Sequence, residues 1–165
     1  MSSNQPTTVA SSGAAGNTAA APRILIVEDD PSSAFILQKI LSRGHYQVVG
    51  IAGSGEQALQ MAREHNPDLI LMDINIPGER DGVETAEKIR QERDSPLIYL
   101  TAFSDEGTIE RARRTAPFAY LLKPYREKEV LITIEMALYK ARLDRIGKAT
   151  EQRLGSTLGA LEDYV

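Results

Sequence analysis

Asp73 ends the apolar run Leu69, Ile70, Leu71, Met72 and is followed by Asn75 and Pro77. Other runs end in the same manner: Ile24, Leu25, Ile26, Val27 lead into Glu28, Asp29 and Asp30; Leu97, Ile98, Tyr99, Leu100 lead into Thr101; and Leu122 leads into Lys123 and Pro124. A carboxylate at the mouth of a buried strand is costly unless it has chemistry to do. Acids gathered in one place repel one another unless a cation is bound, and their oxygens suit a hard cation.

These residues must be brought together by the elements that carry them. From Arg23 onward short apolar runs alternate with amphipathic stretches, which is the pattern of βα units on a parallel sheet. Strands are expected over residues 23–28, 46–52, 68–72, 96–100 and 118–122. Helices are expected over 32–43, 55–65, 82–93 and 105–115, with a last one from about 126. Ser54 reads as an N-cap, Gly44 as a helix stop, and Pro67 and Pro96 as strand openers. Right-handed crossovers then favour a doubly wound sheet with helices on both faces, whose ligands sit at the carboxyl ends of the strands. That edge holds Glu28, Asp29, Asp73 and Thr101.

Composition narrows the classes of function. The chain has 165 residues, 42% of them hydrophobic, enough for one substantial core and too few for a second full domain. The formal net charge is -4, so neither a nucleic-acid footprint nor a polybasic membrane patch is expected. With no cysteine there are no disulfides and no thiolate metal sites. No apolar run approaches the roughly 18 residues of a membrane span, and no signal peptide is evident, so a cytoplasmic location is expected. Residues 1–22 contain no Asp, Glu, Lys or Arg and are expected to form a disordered leader.

Ile26-Val27-Glu28-Asp29-Asp30, Met72-Asp73-Ile74-Asn75-Ile76-Pro77, Leu100-Thr101-Ala102 and Leu122-Lys123-Pro124 together resemble the receiver domain of two-component response regulators. The likeness covers roughly residues 23–143 in order and spacing. It implies a flavodoxin-like α/β fold with five parallel strands in the order 2-1-3-4-5, five helices and a long C-terminal helix. It also implies a signalling switch phosphorylated on Asp73 by a histidine kinase or phosphotransfer protein. Mg2+ is implied as cofactor, held by Asp29 directly, Glu28 through water, Asp73, and the backbone carbonyl of Asn75. Lys123 and Thr101 would then act on the phosphoryl group, Lys123-Pro124 would be a cis bond, and Tyr120 would be the switch aromatic that reports charge at Asp73.

Each residue has a plainer reading. An isolated Thr after a strand is ordinarily a cap, a lone Lys-Pro a turn, and Tyr120 a strand aromatic. Asp30 is the third acid of its run and a neighbour of the others, while His45 and His65 lie near helix ends, where the helix dipole favours them. Two departures from the family stand out. The segment Pro77-Gly78-Glu79-Arg80-Asp81-Gly82 is one residue longer than the common version, and Phe103 is apolar where several relatives carry an acid. A bulky ring at Phe103 would exclude attacking water, so slow self-hydrolysis is expected.

The last helix is expected to be continuous over residues 126–154, with Leu131, Ile134, Leu138 and Ala141 as its sheet-facing stripe. Leu154, Leu158, Leu161 and Val165 resume at spacings of 4, 3 and 4, which fits a coiled-coil seam weakened by Gly147, Gly155 and Gly159. Residues 144–165 resemble a helical linker leading into a PAS domain cut off near its start, as in receiver-PAS-histidine kinase chains, and a homodimer through this helix is an open expectation. Residues 126–165 hold seven basic and seven acidic side chains, which argues against direct DNA binding. Signal output would then pass to a downstream domain or partner on the last strands and helices. Two other functions compete with the switch. A receiver-like module that only binds partners would lack an acid or the lysine, and none is lacking. An aspartate-nucleophile phosphatase wants a second Asp where this chain has Asn75.

Overall fold

The structure is a computed structural model that describes residues 20–102 and 106–162, with side chains as far as Lys148. Five strands and five helices alternate along the chain: β1 (Arg23–Val27), α1 (Pro31–Arg43), β2 (Gln47–Ala52), α2 (Gly55–His65), β3 (Leu69–Asp73), α3 (Gly82–Glu92), β4 (Leu97–Thr101), α4 (Glu106–Arg114), β5 (Ala119–Leu122) and α5 (Glu127–Glu162). All strand pairs are parallel, and the order is β2-β1-β3-β4-β5.

Strand side chains alternate between the two faces of the sheet, so the apolar runs supply two cores at once. Leu25, Val27, Ile70, Met72 and Tyr99 pack against α2, α3 and α4. Ile24, Ile26, Leu69, Leu71, Ile98 and Leu100 pack against Leu37, Ile40 and Leu41 of α1 and against Val130, Ile134 and Ala137 of α5. Every residue of β3 and β4 is buried, which is why both strands read as continuous apolar runs.

Helix starts are set by side chains that satisfy the first N–H groups. Asp30 caps α1, its carboxylate accepting from the Ser33 N–H at 3.1 Å and the Ser33 hydroxyl at 2.7 Å, and Pro31 opens the helix. Ser54 caps α2 and Asp81 caps α3. Asp30 is therefore a structural cap beside the acidic site. Differences from the expected elements are small at the strands. Asp73 belongs to β3, opposite Leu100 of β4, instead of following the strand. The larger difference is α5, which runs 36 residues to Glu162, past the expected end at 154. Of the expected leader, all but the last three residues lie outside the described residues; Pro22 is tied down by the Gln47 N–H, which donates to its carbonyl at 2.9 Å.

Candidate functional site

The strand order reverses between β1 and β3, and the site lies there, at the carboxyl ends of both. Glu28 follows β1 and Asp73 ends β3; both are buried, at 3% and 5% exposure. Asp29 is exposed beside them. One carboxylate oxygen from each of Glu28, Asp29 and Asp73 lies within 4.8 Å of the other two. Two buried acids beside an exposed third stay this close only if cations or protons answer them.

One such cation comes from the chain itself. The Lys123 ammonium, carried by the turn after β5, donates to Asp73 Oδ2 at 2.8 Å and to Glu28 Oε2 at 3.4 Å. Asp73 Oδ1 accepts from the Asn75 N–H at 2.9 Å, and Glu28 Oε1 accepts from the Asp30 N–H at 3.3 Å. Burial works against the ammonium, yet the Asp73 and Glu28 carboxylates together hold the Lys123 pKa above its ordinary value. Glu28 is pushed up to about 7, first by burial and then by hydrogen bonding and repulsion from Asp73, with Lys123 pulling the other way. One lysine does not compensate three acids. Those oxygens, hard donors around a deficit of positive charge, fit a divalent cation such as Mg2+.

The loop after Asp73 is exposed at Pro77, Gly78 and Glu79 and closes against the strand end at Gly82. Gly78 sits at φ +111, in the region that favours glycine. A Cβ at Gly82 would meet the Asp73 carbonyl oxygen and come within 2.7 Å of Ile74 Cα, so α3 begins directly against the end of β3. Arg111 of α4 pairs with Asp81 at 3.0 Å and Glu84 at 3.6 Å, clamping α4 to the start of α3. That clamp was missed in the sequence, because Arg111 lies 30 residues from Asp81 and only the fold brings them together.

The chain matches the family described as response regulator receiver domain over residues 24–135. It belongs to that family. A receiver is the phosphoacceptor switch module of two-component signalling, and its relatives are response regulators. The chain is 40% identical over 119 residues to the transcriptional regulatory protein PdtaR of Mycobacterium tuberculosis, covering 72% of this chain and 58% of that one. It is 34% identical to the DNA-binding response regulator MtrA of Mycolicibacterium smegmatis, covering 70% and 50%. This receiver thus spans about half the length of the curated relatives it matches. Among solved structures, the signal receiver domain of a modulated diguanylate cyclase from Desulfovibrio desulfuricans superimposes with a TM-score of 0.73 at 39% identity, covering 75% of this chain and 98% of that one. The receiver domain of the sensor histidine kinase PA1611 from Pseudomonas aeruginosa, solved with magnesium in its active-site cleft, gives 0.66 at 30% identity, covering 72% and 98%.

The remaining expected residues of the receiver fall around this centre. Thr101 ends β4, buried at 5% exposure, one residue beyond the partner of Asp73; its carbonyl accepts from the Lys123 N–H at 2.8 Å. The Lys123–Pro124 peptide bond is cis. Tyr120 lies opposite Tyr99 across the β4–β5 pair, with ring centroids 5.9 Å apart at 26°. Its hydroxyl is buried without a partner among the described residues, and burial raises its pKa. The Tyr99 hydroxyl, by contrast, is 2.7 Å from Thr115 Oγ1. Phe103 lies outside the described residues, as do the side chains of Leu154, Leu158, Leu161 and Val165. No described helix is long and apolar enough to cross a membrane.

Proposed function

We propose that this receiver is switched by phosphorylation of Asp73. The observation that carries the proposal is the Lys123 ammonium spanning Asp73 and Glu28 inside a cluster of three acids. In this reading an Asp73 oxygen forms a bond to the phosphorus of a phosphohistidine on a histidine kinase or phosphotransfer protein, and the P–N bond breaks as the imidazole leaves. Glu28, Asp29, Asp73 and the Asn75 carbonyl would hold Mg2+, which when bound offsets the charge on the phosphoryl oxygens. Lys123 stabilises the same oxygens with its ammonium. Thr101 turns its hydroxyl toward the new phosphoryl group, and Tyr120 moves with it, carrying the change to β5 and α5.

Asp73 is modified once per signal, so the domain is a switch rather than a turnover enzyme on other substrates. It acts in the cytoplasm, spans residues 23–143, and passes its state through the segment 144–165 to an attached domain or partner. The test is incubation with Mg2+ and a small acyl phosphate, followed by intact mass measurement of the wild type and Asp73→Asn. One phosphoryl group is expected on the wild type only. No gain on the wild type would leave a binding-only module, and sustained turnover of a generic phosphoester would indicate a phosphatase.

A further inference from the structure

Small residues on α5 open a space at the end of the sheet opposite Asp73. Ala137 and Ala141 stand one turn apart on that helix, near the edge where Pro67, Pro96 and Pro117 lead into β3, β4 and β5. Between helix and edge lies a cavity of about 460 Å3, within the size range of small-ligand sites. Its walls are charged unevenly. Five basic side chains line it, Arg90 and Arg93 from the end of α3 and Lys140, Arg145 and Lys148 from α5, against the three acids Asp68, Asp94 and Asp144. In a chain whose net charge is -4, this end carries an excess of positive charge.

We propose that this cavity binds a nucleoside phosphate. The acids do not answer the cations that line it. Asp68 accepts from the Arg23 N–H at 2.8 Å, Asp94 takes the Lys148 ammonium at 2.8 Å, and Asp144 stands four residues before Lys148 on the same helix. Lys140 and Arg145 have no carboxylate partner among the described residues: the Lys140 ammonium lies 5.9 Å from the centre of the Phe118 ring, and Arg145 Nε donates to the Ala141 carbonyl at 3.4 Å. The two arginines of α3 are already held in place. One nitrogen of Arg90 donates to the Thr115 and Ala116 carbonyls after α4, and one nitrogen of Arg93 donates to the Ala62 carbonyl near the end of α2. The other N–H groups of both guanidiniums have no acceptor among the described residues, and fixed guanidinium forks suit phosphate oxygens. Beside these charges, the half-buried Phe118 ring and the prolines of the strand edge offer flat apolar wall. A nucleoside phosphate has a part for each, anionic oxygens for the arginines and lysines and a planar base for the ring. Held between α3 and α5, it would tie the last helix to the body of the domain.

Binding at this end does not depend on phosphorylation of Asp73, so the sample is the unmodified full chain in Mg2+-free buffer, titrated with ADP in a calorimeter. One ADP per chain is expected. Lys140→Glu and Arg145→Glu should each weaken it by at least about tenfold, while Asp73→Asn should leave it unchanged. Both replaced side chains are exposed, so unchanged circular dichroism separates lost binding from lost folding. Pyrophosphate tests the apolar wall: it should bind at least about tenfold more weakly than ADP, and Phe118→Leu should weaken ADP while sparing pyrophosphate. ADP that fails to bind at about 1 mM would overturn the site. So would binding that neither charge reversal affects, or that Asp73→Asn abolishes. Pyrophosphate binding as tightly as ADP would overturn the assignment to a nucleoside.

Discussion

The start of α3 and the outer side of α5 are built in opposite ways. At α3, Gly82 is packed so closely against the end of β3 that a methyl group has nowhere to go. At Gly147 of α5, an added Cβ meets nothing within 4 Å. Around Asp73 each carboxylate oxygen has a neighbour from a different strand end or loop, whereas along α5 the large apolar side chains Met136 and Tyr139 are both 58% exposed. The first region is close-packed within one chain. The second leaves large apolar side chains in solvent, and the difference is between a packed strand end and an open helix face.

The sharpest way to break this contrast is one substitution made at both glycines. Gly82→Ala should destabilise by about 3 kcal/mol or more, because the opposing atoms are backbone and cannot move aside cheaply. Urea unfolding measures it, and a cost below about 1 kcal/mol would mean the junction is looser than described.

Next in size is the charge imbalance at the site. In the metal-free protein Glu28 keeps its proton up to about pH 7, against an ordinary value of 4.5. The native form then binds more protons than the unfolded chain between those values, so this group's contribution to stability falls as pH rises through that window. Glu28→Gln should remove the fall, gaining on the order of 2 kcal/mol over wild type at pH 8 and about nothing at pH 4. A difference independent of pH would show that Lys123 alone satisfies the acids.

The two stacked tyrosines test whether the closed region has a loose point. Tyr120→Phe removes a buried hydroxyl that has no partner among the described residues, and should stabilise by about 1 kcal/mol. Tyr99→Phe removes a hydroxyl paired with Thr115 and should cost about 1 kcal/mol. Equal signs in thermal melts would remove Tyr120 as the place where the closed region yields. The smallest effect is at the open end: Gly147→Ala should stabilise by up to about 1 kcal/mol through helix propensity, opposite in sign to Gly82→Ala.

Much of the site was legible because parallel strands deliver the residues at their carboxyl ends to one edge. Glu28, Asp73 and Thr101 each stand at the end of an apolar run, so their meeting could be read from the order of runs, while Lys123 was placed by the family likeness. The cap formed by Asp30 was hidden among acids that looked alike. The clamp from Arg111 to Asp81 left no local mark. On α5 the expected stripe of Leu131, Ile134, Leu138 and Ala141 lies on the docked side, with Ile134 buried and the other three half-buried. The outer stripe went unread because a helix with apolar residues on two sides shows no single period.

By itself the sequence determined the α/β class, the edge where acids and hydroxyl gather and, through its family likeness, the strand order and the lysine. These depend on local periodicity and on strand ends, which are written in neighbouring residues. Only the tertiary structure decided which acid caps and which faces Lys123, how burial lifts Glu28 toward neutrality, and which side of α5 is left exposed. Those depend on distances between residues far apart in sequence, and on how much water the packed fold leaves around each one.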